Sequence, residues 1–248
     1  PALKAADIGV AMGRGGTDAA RSAAGLVILD DNFATIVAAV EEGRTVYRNI
    51  RRSVRFLLAS NLGEVLSMLF CMALGLAPSL VPIQILMVNL LTDGLPAVAL
   101  GLEPPAEDVM RTPPRPRGES LFAHGLGREI ALRGTALGAA SCAVYAAALA
   151  MGAPLAAARS ACFLTVVFCQ LVHLFEDRGA PLAANPALAW AAALSGAAAL
   201  AGVYLPAAHA LLGTAPVTGR LALYTALAVC VPGAAVQIGR RLWGGAKV

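Results

Sequence analysis

Six stretches of this sequence are long and apolar enough to cross a lipid bilayer, and no other feature limits the available folds so sharply. They run over about 54–76, 83–102, 128–151, 159–177, 187–209 and 219–239, each near the roughly 20 residues that span a hydrocarbon core as a helix. Inside that core every backbone amide must be bonded within its own segment, so such stretches are helices. A soluble bundle is the alternative, and six stretches of this length in succession argue against it. Composition agrees, with 58% hydrophobic and 14% charged residues where a soluble domain carries roughly 25% charged. A mean hydropathy of +0.71 excludes disorder. The net charge of +4 does not indicate nucleic acid, because aromatics are only 5% and the basic residues flank the apolar stretches. Cys71, Cys142, Cys162, Cys169 and Cys230 lie in apolar stretches without CxxC spacing. They read as small buried hydrophobes rather than disulfide or zinc partners.

Residues 1–50 differ from the rest. DIGVAM and GLVILD are short apolar runs bounded by glycine and aspartate, as buried strands are, and a helix is predicted from about residue 33. Asp30, Asp31 or Asn32 can cap that helix, whose polar face continues into Arg44, Arg48, Arg51, Arg52 and Arg55. Two strands and a helix are too little for a core of their own. The segment is therefore expected to complete a domain that begins before Pro1, and its opening residues are no signal peptide. The expected organisation is 1–50 as α/β structure and 51–248 as membrane domain.

Charge sets the expected orientation. With 1–50 cytoplasmic, the connections 77–82 and 152–158 face outward without Lys or Arg, and Arg220 is the only basic residue near the third outer connection. The basic cluster 44–55 falls inside, with Arg111, Arg115, Arg117, Arg128, Arg178, Arg240, Arg241 and Lys247. The proline-rich loop EPPAEDVMRTPPRPRGES reads as a semi-rigid connector, with a PxxP ligand as the alternative. Gly134 and Gly138 permit close helix approach, within the chain or across a dimer.

The first two spans carry the chemistry. SNLGEVL places Asn61 and Glu64 one turn apart, and MVNLLTDGLP places Asn89, Thr92 and Asp93 on one turn of the next helix. Glu64 and Asp93 are the only acidic residues in the middle of a span. Such carboxylates face a cavity or a partner, since leaving one in lipid costs about 2.5–3.5 kcal/mol. Two carboxylates with amide and hydroxyl oxygens form a hard-oxygen site suited to a cation such as Ca²⁺; protonated carboxyls acting as structural glue are the alternative. Gly94 and Pro96 predict an unwound stretch beside Asp93. In the fourth span Gln170 is a weaker candidate ligand, and His173 reads as a packing residue.

At these residues a family resemblance emerges. PALKAADIGVAMG, GTDAARSAAGLVILDDNFATIVAAVEEGRTVYRNIR, SNLGEVL and VPIQILMVNLLTDGLPAVALGLEPP resemble consecutive segments of the P-type cation-transporting ATPases, nearest to the calcium pumps of the sarcoplasmic reticulum and bacterial type. The likeness is specific over about 1–117 and topological beyond. It implies that 1–50 end a haloacid-dehalogenase-like phosphorylation domain and a coupling helix, and that the six spans are the pump's fifth to tenth. It further implies that Asn61, Glu64, Asn89, Thr92 and Asp93 coordinate the transported ion.

The departures shape the expectation. The phosphorylated Asp-Lys-Thr-Gly-Thr motif, the Thr-Gly-Glu motif and the nucleotide-binding domain are absent, so this chain alone is not expected to hydrolyse ATP, and it carries no catalytic or cofactor-binding residue of its own. ATP and Mg²⁺ belong to the full-length parent. FLTVVFCQLVHLF lacks the glutamate of two-site reticulum pumps, so Gln170 takes its place and one ion per cycle is expected. Sodium pumps are less similar, because they carry an aspartate where Asn89 stands. The implied function is export of Ca²⁺, with Mn²⁺ as a second candidate, against protons. The expected location is a plasma or bacterial inner membrane, with both termini cytoplasmic, and the expected partners are lipid and the amino-terminal pump domains. A separate non-catalytic subunit or passive cation pathway is the alternative. A proton-coupled secondary transporter is disfavoured, because no second broken helix repeats the site.

Overall fold

A computed structural model describes residues 1–106, 108–116 and 118–242, with backbone alone at 240 and 242. Arg117 and Lys247, assigned above to the inner side, lie outside the described residues, as does the side chain of Arg240. The chain forms two compact units, Pro1–Tyr47 with Pro105–Pro113, and Arg48–Pro104 with the chain from Pro114 onward.

In the first unit, helix α1 (Ala2–Ala5) leads into strand β1 (Val10–Met12), helix α2 (Asp18–Ala23) and strand β2 (Leu26–Ile28). The strands are parallel, with Val10 opposite Leu26 and Met12 opposite Ile28. Thr17 caps α2 through the Ala20 amide at 3.2 Å. Helix α3 (Ala34–Ala73) follows a turn in which Asn32 Oδ1 accepts the Ala34 amide at 3.0 Å and Asp30 Oδ2 accepts the Thr35 hydroxyl at 2.8 Å. Asp31 has a different task. At φ 55° it turns back, and its carboxylate accepts the amides of Arg14 and Gly15. These bonds stabilise the ionised carboxylates: the Thr35 hydroxyl and Asn32 amide hold Asp30 below its ordinary 3.8, and the Arg14 and Gly15 amides do so for Asp31.

The second unit is helical. After α3 come α4 (Pro82–Met87), a π-helical segment (Val88–Gly94), α5 (Leu95–Gly101), α6 (Leu126–Ala150), α7 (Leu155–Asp177), a 3₁₀ turn (Leu182–Ala184), α8 (Pro186–Tyr204), α9 (Pro206–Leu212), α10 (Gly219–Ala228) and α11 (Val231–Leu242). Among the described residues six helical segments are long and apolar enough to cross a membrane: Ala34–Ala73, Pro82–Gly101, Leu126–Ala150, Leu155–Asp177, Pro186–Tyr204 and Gly219–Gly239. The number matches the sequence expectation. The first begins at Ala34 rather than near 54, because the arginine-rich segment continues the same helix.

Prolines draw two further boundaries. The helix expected over 187–209 stops at Tyr204, because Leu205 precedes Pro206 and takes an extended conformation, φ −84° and ψ 122°. The last span divides into α10 and α11, since Pro232 cannot donate to the preceding turn. The Cys169 thiol lies 3.9 Å from the Ala228 carbonyl and 3.8 Å from that of Val229 at this break.

The core of the unit is α7, on which Ala158, Ala161, Cys162, Phe163, Val166, Val167 and Leu174 are fully buried. Glycines bring α6 onto α3. A Cβ at Gly134 would stand 2.8 Å from the Leu62 side chain, and one at Gly138 would stand 2.8 Å from Leu66 Cβ and 3.0 Å from the Gly63 carbonyl oxygen. These small residues serve helix packing within the chain.

Candidate functional site

Between Asn49 and Ser67 one face of α3 carries polar residues. Asn49, Ser53, Ser60, Glu64 and Ser67 follow at gaps of four, seven, four and three residues, and all but the half-buried Ser53 are buried. Glu64 lies on this stripe, 4% exposed. The Gln170 amide of α7 donates to Glu64 Oε1 at 2.9 Å, and Gln170 Oε1 accepts the Thr92 hydroxyl at 3.2 Å. Thr92 Oγ1 also lies 2.9 Å from the Val88 carbonyl. A chain of polar side chains thus joins α3, α7 and the π-helical segment, with Gln170 and Thr92 fully buried.

Asp93 follows Thr92 and is 2% exposed. Among the described residues neither of its carboxylate oxygens has a hydrogen-bond partner. A buried carboxylate left this way is costly unless it takes a proton or something cationic is brought to it. Ser60 Oγ is likewise buried without a partner. Among the described residues no three acidic, histidine or cysteine side chains gather into a metal cluster. A cation here would therefore be met by two carboxylates and neutral oxygens, the donor set of hard ions.

Of the six residues singled out by sequence, Glu64, Thr92, Asp93 and Gln170 come together in the interior. Asn61 and Asn89 lie on exposed surface of the unit, and the Asn61 amide donates to the Leu57 carbonyl of its own helix at 2.9 Å.

The expected unwound stretch takes another form. Val88–Gly94 stays helical but widens to a π-helix. Pro96 cannot donate to the turn before it, and Ser195 Oγ of α8 donates to the Leu91 carbonyl at 2.8 Å. The helix keeps its continuity because a neighbouring hydroxyl satisfies that carbonyl. The wider turn carries Asn89, Thr92 and Asp93.

Sequence reasoning missed a second buried polar group. Arg55, Arg133 and Asp177 are 5%, 3% and 2% exposed, and Arg55 Nε donates to Asp177 Oδ2 at 3.0 Å. The available signal was Arg133, a charge inside an expected span with Glu129 one turn before it. His173 packs with its ring 5.6 Å from that of Phe56, and its Nε2 lies 2.8 Å from Asp177 Oδ2 without hydrogen-bond alignment.

Comparison with known proteins gives this architecture its class. The family model for the cation transporting ATPase C-terminus matches residues 77–242, and the chain belongs to that family. It is an integral membrane protein. It is 51% identical over 179 residues to a calcium-transporting ATPase of Bacillus subtilis, an alignment covering 72% of this chain and 20% of the relative. Over 141 residues it is 55% identical to the endoplasmic reticulum calcium ATPase srcA of Aspergillus fumigatus, covering 57% of this chain and 14% of that protein. Over 122 residues it is 54% identical to the endoplasmic reticulum-type calcium-transporting ATPase 4 of Arabidopsis thaliana, covering 49% and 12%. The chain thus spans a fifth or less of the length of these relatives.

Proposed function

We propose that this chain is the ion-binding membrane part of an ATP-driven P-type pump that exports Ca²⁺. The observation that carries the reading is the Asp93 carboxylate, buried without a hydrogen-bond partner beside the Glu64–Gln170–Thr92 chain. Two carboxylates and neutral oxygens suit a hard divalent ion, and the relatives named above are calcium-transporting ATPases. Mn²⁺ shares this donor preference and is a second cargo.

Glu64, Thr92, Asp93 and Gln170 form the inner half of the site. Asn61 and Asn89, exposed on this unit, face the helices supplied by the rest of the pump and complete the coordination there. Gln170 in place of a third carboxylate suits one divalent ion per cycle. With the cargo released, protons on Glu64 and Asp93 neutralise the site for the return, which makes the exchange Ca²⁺ against protons.

Residues 1–50 form the end of a haloacid-dehalogenase-like phosphorylation domain, and the arginine-rich part of α3 couples it to the membrane. The residues of this chain do not fit ATP or Mg²⁺, for they include no Asp-Lys-Thr-Gly-Thr motif. Those ligands belong to the remaining domains, the partners of this segment. The chain sits in a plasma or bacterial inner membrane, and its Lys and Arg distribution supports both termini cytoplasmic.

The test is Ca²⁺-dependent phosphorylation by ATP in the full-length protein carrying Asp93→Asn. Loss of the Ca²⁺ dependence is expected; normal dependence would overturn the assignment.

A further inference from the structure

Two arginines on successive turns of α3 hold the ends of the two other helices that form the Glu64–Asp93 site. Arg52 Nη1 donates to Glu103 Oε2 at 3.0 Å, just beyond α5, and the same oxygen accepts the Gly179 amide at 2.7 Å, just beyond α7. The Glu103 carbonyl accepts the Asn49 amide group at 2.7 Å. A Cβ at Gly179 would fall onto the Arg52 guanidinium, so a side chain there would displace it. One turn further, Arg55 meets Asp177, the last residue of α7, with Nε 3.0 Å from Oδ2 and Nη2 2.8 Å from Oδ1. Cations at helix C-termini are also favoured by the helix dipole.

The other charged and titratable groups around Asp177 come from α6 and α7. Arg55 Nη1 lies 3.4 Å from Glu129 Oε2, and Arg133 Nη1 lies 2.7 Å from Glu176 Oε2. Arg133 Nη2 stands 3.7 Å from Asp177 Oδ1, and His173 Nε2 2.8 Å from Asp177 Oδ2. Compared with apolar packing, buried ion pairs add little net stability. The single charge-assisted hydrogen bond from Arg55 Nε to Asp177 Oδ2, with Nη2 at ion-pair distance from Oδ1, supplies fixed geometry instead.

That geometry bears on the site. Helices α3 and α7 meet at three levels in antiparallel order: Arg55 with Asp177, Glu64 with Gln170, and Ser67 with Cys162 at 3.6 Å. A slip of α3 by one residue would move Glu64 by about 1.5 Å and turn it by about 100°, out of reach of Gln170. The geometry points to Arg52, Arg55, Glu103 and Asp177 as positioning residues that fix the relative heights of α3, α5 and α7 and thereby set the cation affinity of the site. This rests on the reading of Glu64 and Asp93 as a cation site. None of the four touches the ion.

The test measures the Ca²⁺ concentration for half-maximal Ca²⁺-dependent ATP hydrolysis in the full-length protein, together with maximal rate and melting temperature. Asp177→Asn should raise the half-saturating concentration about tenfold, with a smaller fall in maximal rate. Glu103→Gln should act in the same direction. The double variant Arg55→Met with Asp177→Leu separates position from stability: its melting temperature should recover towards the parent while its affinity stays low. Recovery of affinity together with stability, or an unmoved half-saturating concentration in Asp177→Asn, would overturn the positioning role. Should Asp177→Asn fail to fold, the double variant decides alone. If Glu64→Gln retains the parent's Ca²⁺ dependence, the cation-site reading itself fails and takes this inference with it.

Discussion

The two buried polar centres of the membrane unit handle charge in opposite ways. Around Asp177 the carboxylate faces two guanidinium groups and a histidine. Around Asp93 the carboxylate oxygens have no hydrogen-bond partner among the described residues. Matched charges at the helix ends hold the architecture. Unmatched ones in the middle of the spans are, in the proposed reading, what draws a cation. The same residue type thus serves two purposes, decided by what lies opposite.

Substitutions can break this comparison. Its sharpest form predicts different outcomes for two identical chemical changes. Asp177→Asn should destabilise the membrane unit by about 3–5 kcal/mol, because Arg55 and Arg133 lose their shared counter-charge. Asp93→Asn should leave the melting temperature unchanged or raise it while removing Ca²⁺ dependence. Thermal unfolding of the two variants in detergent, without Ca²⁺, checks the pair, and equal losses would dissolve the distinction.

Packing gives the next effect. Gly138→Ala places a Cβ 2.8 Å from Leu66 Cβ and 3.0 Å from the Gly63 oxygen. It should cost about 1–3 kcal/mol by forcing α6 away from α3, and the loss should appear in the same melting experiment. Smaller still is Ser195→Ala, which leaves the Leu91 carbonyl without its 2.8 Å donor and should cost about 1 kcal/mol. Infrared spectra of a ¹³C-labelled Leu91 carbonyl should shift in that variant if the bond is present.

The mildest effect concerns the first unit. Asp30 and Asp31 are held below their ordinary 3.8 in the folded state. Their contribution is therefore present above that value and lost as pH falls through the depressed folded values. Acid unfolding followed by amide exchange at Arg14 and Gly15 should show early loss of protection, and Asp31→Asn should remove that pH dependence.

Much of the fold was legible because a bilayer leaves few options. Six apolar lengths require six helices, and the positions of Gly134 and Gly138 already marked where two helices could approach. Helix ends were less legible: Pro206 and Pro232 were visible in the sequence, but whether a proline kinks, widens or divides a helix depends on what receives the freed carbonyl. At Pro96 the Ser195 hydroxyl from another helix does so, and the result is a π-helical turn rather than an unwound segment.

The candidate site was readable to the extent that polarity inside a span is unusual. Glu64, Thr92 and Asp93 stood out against apolar neighbours. The bond from Gln170 to Glu64, 106 residues away, and the outward placement of Asn61 and Asn89 could not be read from spacing. The pairing of Arg55 with Asp177 escaped notice because each lies at the edge of an apolar stretch, where charge is ordinary.

The sequence by itself determined a membrane protein of six helices with two carboxylates in its interior, since hydrophobic length and the cost of buried charge are local properties. Only the tertiary structure decided which charges are matched. Pairing depends on the relative height and rotation of helices far apart in the chain, and a shift of one residue along any of them would exchange one partner for another.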